Sequence, residues 1–415
     1  MAFGALAKLE VDQLIIFIRN PHKRAAAVLV IGLLAFVSVV SSEPYMPQSD
    51  AQILERLPLT ANSESRELRV LRRQLMAQPE QLDLACMLAE RYIALGRQVA
   101  DPRYYGYAQS VLQPWWQLTD PPSKVLLLRV NILQNRHDFA GALQDLQLIL
   151  QRDPRHAQAW LAQAVILQVR ARYDEAKRSC LKLIEYKDTM PAIVCLTQVG
   201  SLTGQAGKSY DLLRDAIISV RDLPAEQQIW SLTVLAEMAV RLSKPVEAEH
   251  YFKQALQLDA NDTYLLTAYA DFLLDQNRLQ EVMALLTNKT NVDALLLRRA
   301  LAEQRLASPN LASDLAKLQA RFAASRLRGE NLHQGDEARM TLFLLKQPRQ
   351  ALQLALANWQ AQREPKDARI LLEAALAAES PDSAKPVLDL LSDTGMEDNQ
   401  LKKLASRFSL GQSGK

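Results

Sequence analysis

Glycine is scarce in this sequence, at 13 of 415 residues, which is about 3% against a usual share of about 7%. Aromatic residues make up only 6%. No stretch alternates β-branched and polar residues between Asn-Gly or Asp-Gly turns, so a protein built on a β-sheet is not expected. Abundant alanine and leucine instead predict an all-α fold whose helices are joined by short turns.

The sequence also lacks a strong charge of either sign. It contains 49 basic and 46 acidic residues, a net charge of +3. Without residues 1–42, which hold four basic and two acidic residues, the remaining body carries +1. A nearly neutral body gives no electrostatic reason to expect binding to nucleic acid, and we predict no nucleic-acid partner.

Motifs that carry chemistry are missing as well. Cys86, Cys180 and Cys195 lie in apolar helical segments without C-x-x-C spacing, and the five histidines are scattered, so we predict buried structural thiols and no metal site. Cys180 and Cys195 fall on neighbouring predicted helices, where an oxidising compartment permits a disulfide but does not require one. The stretch Thr203–Ser209 lacks the first glycine of a phosphate-binding loop and predicts a helix–turn–helix junction. No H-E-x-x-H or G-x-S-x-G motif occurs, so we expect neither an enzyme nor a cofactor.

A long apolar run occupies residues 25–42, close to the length of about 20 residues that spans a bilayer. The leader before it, residues 1–24, is longer than the basic region of a usual signal peptide, which favours an uncleaved transmembrane anchor. Cleavage near Ser42, releasing the body into the periplasm, is the alternative. Basic residues precede the run, so the positive-inside rule predicts a single-pass inner-membrane protein with a cytoplasmic N-terminus and a periplasmic body. A proline-containing linker, residues 43–62, follows.

Helical periodicity is clearest between Ala157 and Asp188. In its first half, Trp160, Ala164 and Leu167 fall at i, i+4 and i+7 on one helical stripe. After a turn at 171–172, the inner face of a second helix consists of Tyr173, Ala176, Cys180 and Leu183. This pattern of large and small residues resembles a tetratricopeptide repeat, which has a period of about 34 residues.

The resemblance implies an α-solenoid of stacked antiparallel helix pairs over residues 63–408, followed by a tail, 409–415. About nine such pairs are predicted up to Leu391, after a first helix at 63–76, and Glu397–Phe408 is predicted to cap the array. Terminal repeats are expected to depart from the consensus, because one of their faces meets solvent.

The resemblance also implies a concave groove formed by the first helix of each pair, in which a peptide or helix of another protein binds. In this family the second, fifth, ninth and twelfth positions of each first helix face the groove. Carried onto this chain, these positions are Lys124, Leu127, Asn131, Gln134, Gln158, Leu161, Val165, Gln168, Trp230, Thr233, Glu237, Tyr264, Thr267 and Asp271. Among them, Trp230 and Tyr264 are the rigid aromatic residues that most often dominate binding energy.

These expectations point to a non-catalytic scaffold for protein–protein interaction, acting as an assembly factor of an envelope complex. A periplasmic chaperone-like holdase for exported clients is the first alternative. A small-molecule sensor or an accessory subunit of an enzyme is a further one.

Overall fold

The computed structural model describes residues 63–99, 101–185, 189–220, 222–327 and 333–410. The predicted leader, membrane anchor and linker lie outside these residues, as does the tail from 411 onward. In the part that is described, no helix is both long enough and apolar enough to cross a membrane. No strand occurs in these ranges, and the prediction of an all-α fold is confirmed.

The first helix, predicted at 63–76, extends from Ser63 to Ala77. The helices are α1 Ser63–Ala77, α2 Leu82–Val99, α3 Arg103–Val111, α4 Gln113–Trp116, α5 Ser123–Asn135, α6 Phe139–Arg152, α7 Ala157–Val169, α8 Tyr173–Glu185, α9 Thr189–Ser201, α10 Ala206–Ser219, α11 Ala225–Arg241, α12 Pro245–Leu258, α13 Thr263–Asp275, α14 Leu279–Leu285, α15 Asp293–Arg305, α16 Leu311–Leu327, α17 Gln334–Arg339, α18 Pro348–Ala361, α19 Pro365–Ala377, α20 Lys385–Thr394 and α21 Asn399–Leu410. A π-helical segment, Met340–Leu344, continues α17, and a 3₁₀ turn, Pro381–Ala384, precedes α20.

Stacked helix pairs, the architecture expected from the repeat pattern, are present. Nine pairs follow α1 in the described ranges, from α2–α3 to α19–α20. The pattern-setting pair, α7–α8, buries Ala164, Leu167, Ala176 and Leu183 between its helices and the next. The stripe of small and large residues therefore does what its spacing predicts: it lets two helix axes approach and fills the space beside them.

The turns within the pairs repeat one backbone conformation. In the described part of the chain, eight successive within-pair turns from α5–α6 onward each contain a residue with positive φ, and only the turn after α9 uses glycine there. In the turn of the pattern-setting pair, Ala171 has φ 55° and the N–H of Arg172 bonds to the carbonyl of Leu167 at 2.8 Å. This closure is a Schellman motif, which usually contains glycine because a Cβ is unfavourable at that φ. The scarcity of glycine therefore does not prevent these turns.

The last helices fold back onto the middle of the array, which the repeat pattern did not predict. One apolar core contains residues of α7, α8 and α9 together with residues of α18, α19 and α21. The N–H of Arg363 bonds to the carbonyl of Val169 at 2.8 Å, and the guanidinium of Arg170 donates to the carbonyls of Gln360 and Ala361. The turn between α18 and α19 is therefore fixed against the turn between α7 and α8.

The segment between α20 and α21 and the first residue of α21 contact the turns of two further pairs. The carboxylate of Glu397 accepts from the N–H of Ala206 at 2.6 Å, at the beginning of α10. Gly395 lies so close to Gly204 that a Cβ on Gly204 would be 3.3 Å from the Gly395 carbonyl oxygen. Asn399 Nδ2 donates to Ser243 Oγ at 2.9 Å, in the turn after α11.

Gly204 is subject to a steric constraint that the positive-φ residues of the other turns do not share. The other seven turns carry a side chain at the positive-φ position, so conformation alone does not explain the glycine; the close approach of Gly395 does. We expect Gly204→Ala to lower the free energy of unfolding by about 1–2 kcal/mol.

The matched control for that substitution is Gly106→Ala. Gly106 lies inside α3, where an added Cβ meets nothing within 4 Å, and alanine there should stabilise the protein by up to about 1 kcal/mol. Chemical denaturation of the two variants measures both changes, and equal effects of the same sign would contradict the close-approach argument.

A disulfide joins α8 to α9. Cys180 and Cys195 are fully buried, with Cα atoms 5.6 Å apart and the sulfurs bonded. Cys86 is a buried free cysteine. All three cysteines are therefore buried, as predicted, but only Cys86 remains a thiol. The packing of α8 on α9 brings the other two sulfurs within bonding distance.

Candidate protein-binding groove

The fourteen predicted groove positions lie on α5, α7, α11 and α13, the first helices of four pairs. We call the faces of these helices that carry them the inner surface. Their side chains differ widely in exposure and in the contacts that they already make within the chain. Whether they bind a partner stays a prediction.

On α5, two of the predicted side chains are engaged with the preceding pair. Lys124 is exposed, and its ammonium lies 2.6 Å from Asp83 Oδ1 on α2. Asn131 accepts a hydrogen bond from the guanidinium of Arg97 and donates to the carbonyl of Leu127 at 3.0 Å. Leu127 is half-buried. The inner surface of α5 is thus mostly polar and open to solvent at its N-terminal end.

A cavity of about 350 Å³ begins where α5 ends. Asn131 and Gln134 line it together with Gln362 from the fold-back, and His137 contributes from the turn. Burial, with the positive charge of Lys366 nearby, lowers the pKa of His137 to about 4, so the imidazole is neutral at pH 7. The cavity is therefore lined chiefly by neutral hydrogen-bonding groups.

On α7, exposure falls along the helix. Gln158 is exposed, Leu161 and Val165 are half-buried, and Gln168 is 6% exposed. The amide of Gln168 lies 4.0 Å from the sulfur of Cys195. Gln168 presents little surface to a partner, contrary to expectation, because the fold-back packs against this end of α7.

On α11, Trp230 is half-buried against the core beside it. Thr233 is 3% exposed, and its hydroxyl donates to the carbonyl of Ile229 at 2.7 Å. The expectation of a groove-facing threonine is not met, because all residues from 231 to 236 are buried and α11 has neighbours on most of its faces.

Tyr264 and Glu237 connect α13 to α11 on the inner surface. Tyr264 is 51% exposed, and its hydroxyl donates to Glu237 Oε1 at 2.7 Å. Burial raises the pKa of the Glu237 carboxyl, against the opposing effects of Arg241 and of this hydrogen bond. Thr267, on the same face, donates to the carbonyl of Thr263. The result is an aromatic ring that is held in place yet open to solvent on one side.

Asp271 is already occupied by the chain's own cations. Arg298 on α15 donates to both of its carboxylate oxygens, at 2.9 and 3.1 Å, and Arg339 on α17 donates at 2.9 Å. Burial acts to raise the pKa of Asp271, but the two guanidinium groups outweigh it and hold the pKa below its ordinary value. Asp271 therefore links three successive first helices, and its carboxylate is already paired within the chain.

The fold-back contributes side chains that sequence spacing does not indicate. Lys366, in the first turn of α19, is exposed; its ammonium lies 6.0 Å from the centroid of the Tyr264 ring and 2.9 Å from Glu364 Oε2. These residues follow Tyr264 by about a hundred positions, so no periodic signal links them. The inner surface near Tyr264 is built from two distant parts of the chain.

Among the described residues, no group of three or more histidine, cysteine, aspartate or glutamate side chains could hold a metal ion. The charged groups on the inner surface are instead joined in pairs and networks. The arrangement offers hydrogen-bonding groups, an aromatic face and charge, all of which serve in recognition.

No model of a known protein family matches the chain, and no curated protein matches its sequence. Solved structures with a similar arrangement include the APC/C hetero-tetramer Cut9–Hcn1, at 15% identity and a TM-score of 0.42, over 83% of this chain and 58% of that one. Human IFIT1 in a dimer with m7Gppp-AAAA matches at 13% identity and 0.44, over 83% and 86%. The TPR domain of P58(IPK) matches at 15% and 0.22, over 80% and 99%.

Proposed function

We propose that the helical array is a non-catalytic scaffold that binds a segment of another polypeptide on the inner surface formed by α5, α7, α11 and α13. The observation that supports this most strongly is Tyr264. It is half-exposed although its hydroxyl is fixed by Glu237, and a preorganised aromatic ring loses little conformational freedom when a partner covers it. Trp230, on the preceding first helix, is a second partly exposed aromatic residue of the inner surface.

We further propose that this scaffold serves the assembly of an envelope complex, as a single-pass inner-membrane protein with its body in the periplasm. The apolar run at 25–42 and the basic residues before it support this location. The buried disulfide of Cys180 and Cys195 is compatible with an oxidising compartment. Secretion after cleavage near Ser42 would leave the body in the same compartment.

The test is recovery of the partner after cross-linking in intact cells. We expect the triple variant Asn131→Ala, Trp230→Ala, Tyr264→Ala to recover the partner at least tenfold less well, because loss of one buried aromatic contact commonly costs about 2 kcal/mol. The control is Leu212→Ala with Ile218→Ala, which truncates two exposed residues of the second helix α10. Undiminished recovery with the triple variant, in protein whose helical signal is unchanged, would reject the inner surface as the binding site.

A holdase is the second candidate, favoured by exposed apolar residues on second helices. Leu181 and Ile184 on α8 are 43% and 53% exposed, and Leu212 and Ile218 on α10 are 57% and 75% exposed. Such residues suit loose contact with many unfolded chains. Under this function, the α10 variant would lose its ability to suppress aggregation of an unfolded client, while the triple inner-surface variant would retain it.

A further inference from the structure

The position of Lys366 has no evident structural purpose. Its side chain is 55% exposed, and its ammonium pairs with the carboxylate of Glu364, two residues earlier. Ion pairs this open to solvent contribute about 0–1 kcal/mol. The same ammonium stands over the Tyr264 ring at 6.0 Å, at the outer limit of a cation–π contact. Lys366 is thus held weakly over the exposed ring of the inner surface.

The surroundings of that ammonium are acidic. Glu364 lies beside it, and the Tyr264 hydroxyl ties the Glu237 carboxylate to the same ring. Glu364 and Asp367 raise the pKa of Lys366 above its ordinary value. The Glu364 and Glu237 carboxylates and the ring face therefore favour a cation at this point.

Other cations near this point are engaged elsewhere. The guanidinium of Arg298 is divided between Asp271 and Asp336, and Arg339 is bound to Asp271. Arg241 donates to the hydroxyl of Ser201 at 2.7 Å. Lys366 is then the cation that can leave at least cost, since it is the most exposed of them.

We infer that Lys366 occupies, from within the chain, a subsite for a lysine or arginine side chain of the partner, formed by the Tyr264 ring and the carboxylates of Glu237 and Glu364. This inference rests on the proposed function, because it assigns the kind of side chain that the inner surface accepts. On binding, the partner's cation takes the place over the ring and the Lys366 ammonium moves into solvent. Charge is conserved in this exchange, so no carboxylate is left unpaired in either state.

The exchange sets the size of the expected effect. A tethered competitor acts at an effective concentration in the millimolar range, and the contact that it makes is worth about 0.5–1 kcal/mol at an exposed site. Removing the competitor should therefore strengthen binding of a basic peptide by about twofold to fivefold. The gain should shrink as salt is added, because the attraction is between charges that are partly open to solvent.

The experiment measures fluorescence anisotropy of a labelled peptide with three Gly-Lys repeats, titrated with the full-length protein in detergent. We expect Lys366→Met to bind this peptide about twofold to fivefold more tightly than the unaltered protein. The matched control is Lys385→Met, which removes an exposed lysine paired with Asp389 on α20. It changes the net charge equally and should leave affinity unchanged.

Two further measurements keep the inference open to rejection should Lys366→Met disturb α19. In otherwise unaltered protein, Glu237→Gln and Tyr264→Leu should each weaken binding of the Gly-Lys peptide. A peptide in which norleucine replaces each lysine should respond to none of the substitutions. An equal gain with Lys366→Met and Lys385→Met, or an equal gain for the norleucine peptide, would overturn the lysine subsite.

The outcomes separate this inference from the proposed function. If the triple inner-surface variant loses its cellular partner while Lys366→Met shows no gain for the lysine peptide, the scaffold stands and the subsite falls. If the lysine peptide behaves as expected while partner recovery is independent of Trp230 and Tyr264, the subsite stands and the proposed binding surface falls.

Discussion

Replacing Arg298 with methionine should lower the free energy of unfolding by about 3–5 kcal/mol at pH 7. Arg298 is 3% exposed and lies between two carboxylates, with Nη2 2.9 Å from Asp271 Oδ2 and Nη1 2.6 Å from Asp336 Oδ1. Methionine fills much of the same space but leaves both acids with one guanidinium, that of Arg339. The loss arises from burying negative charge without compensation rather than from the bond energies themselves. Urea denaturation measures it.

The pH dependence of this loss identifies its cause. In the unaltered protein, the guanidinium groups outweigh burial and depress the pKa of Asp271 and of Asp336. A carboxyl group whose pKa is depressed on folding stabilises the fold at pH values above its unfolded-state pKa of about 3.9. That contribution is lost as the pH falls from this value through the lower pKa of the folded state. Without Arg298, burial acts on both acids with less opposition. Acidification then lets them take up protons, which removes the unfavourable buried charge and stabilises the variant. The difference between the two proteins should therefore narrow from pH 7 towards pH 4.

The matched control is Arg214→Met. Arg214 is also paired with two aspartates, Asp211 and Asp215, but its side chain is 38% exposed and theirs are more so. We expect a change below about 1 kcal/mol and little dependence on pH. A loss of similar size at both sites, or one at Arg298 that does not vary with pH, would show that packing rather than buried charge explains the effect.

Helix periodicity was enough to predict the pairs, because each pair buries a local stripe that the spacing records. Trp160, Ala164 and Leu167 needed only their own spacing to indicate α7. The turn at Ala171 was predicted without glycine, and the backbone there pays for its positive φ through the hydrogen bond that closes the turn. Local order of this kind depends on neighbours in sequence, which is why it could be predicted from sequence alone.

The fold-back could not be predicted in the same way, since it joins segments far apart in sequence. Arg369 on α19 bonds to Asp275 on α13, 94 positions earlier, and Gln400 bonds to the same carboxylate. One signal was present: α19 buries residues around most of its circumference, including three in succession, Ile370, Leu371 and Leu372. An apolar helix of this kind is typical of a position enclosed on several sides. It indicates enclosure but not which helices provide it.

The candidate site shows the same division. Family spacing places Trp230 and Tyr264 on the inner surface, and both remain at least partly exposed. It also places Thr233 and Gln168 there, and these are buried because other helices cover them. Lys366 was beyond the reach of spacing, as it enters from the fold-back. Positions relative to one helix are therefore predictable, whereas exposure depends on everything packed around that helix.

The disulfide between α8 and α9 should contribute about 3 kcal/mol to the free energy of unfolding, the value expected for a closed loop of this length. Cys180 and Cys195 are 15 positions apart and close the connection between two neighbouring pairs. They lie in the same apolar core that receives the fold-back. The bond lies in the middle of the array. Breaking it raises the conformational entropy of the unfolded chain and so lowers the free energy of unfolding.

Two measurements check this contribution. Unfolding in urea with and without a thiol reductant should differ by about 3 kcal/mol, and the variant Cys180→Ala, Cys195→Ala should respond to reductant no further. Cys86→Ala is the control: it removes a buried sulfur that forms no bond and should cost about 1 kcal/mol whether or not reductant is present. A double variant as stable as the control would contradict the assigned role of the disulfide.

The same bond tests the proposed location in cells. Both sulfurs are fully buried, so a reductant reaches them only after the array opens, and the oxidation state set during folding should persist in native protein. Rapid acid quenching followed by alkylation in denaturant should then yield one alkylated cysteine, Cys86, if the body folds in an oxidising compartment. Three alkylated cysteines would place folding in a reducing compartment and reject the periplasmic location, while leaving the inner surface and its lysine subsite to be judged on binding alone.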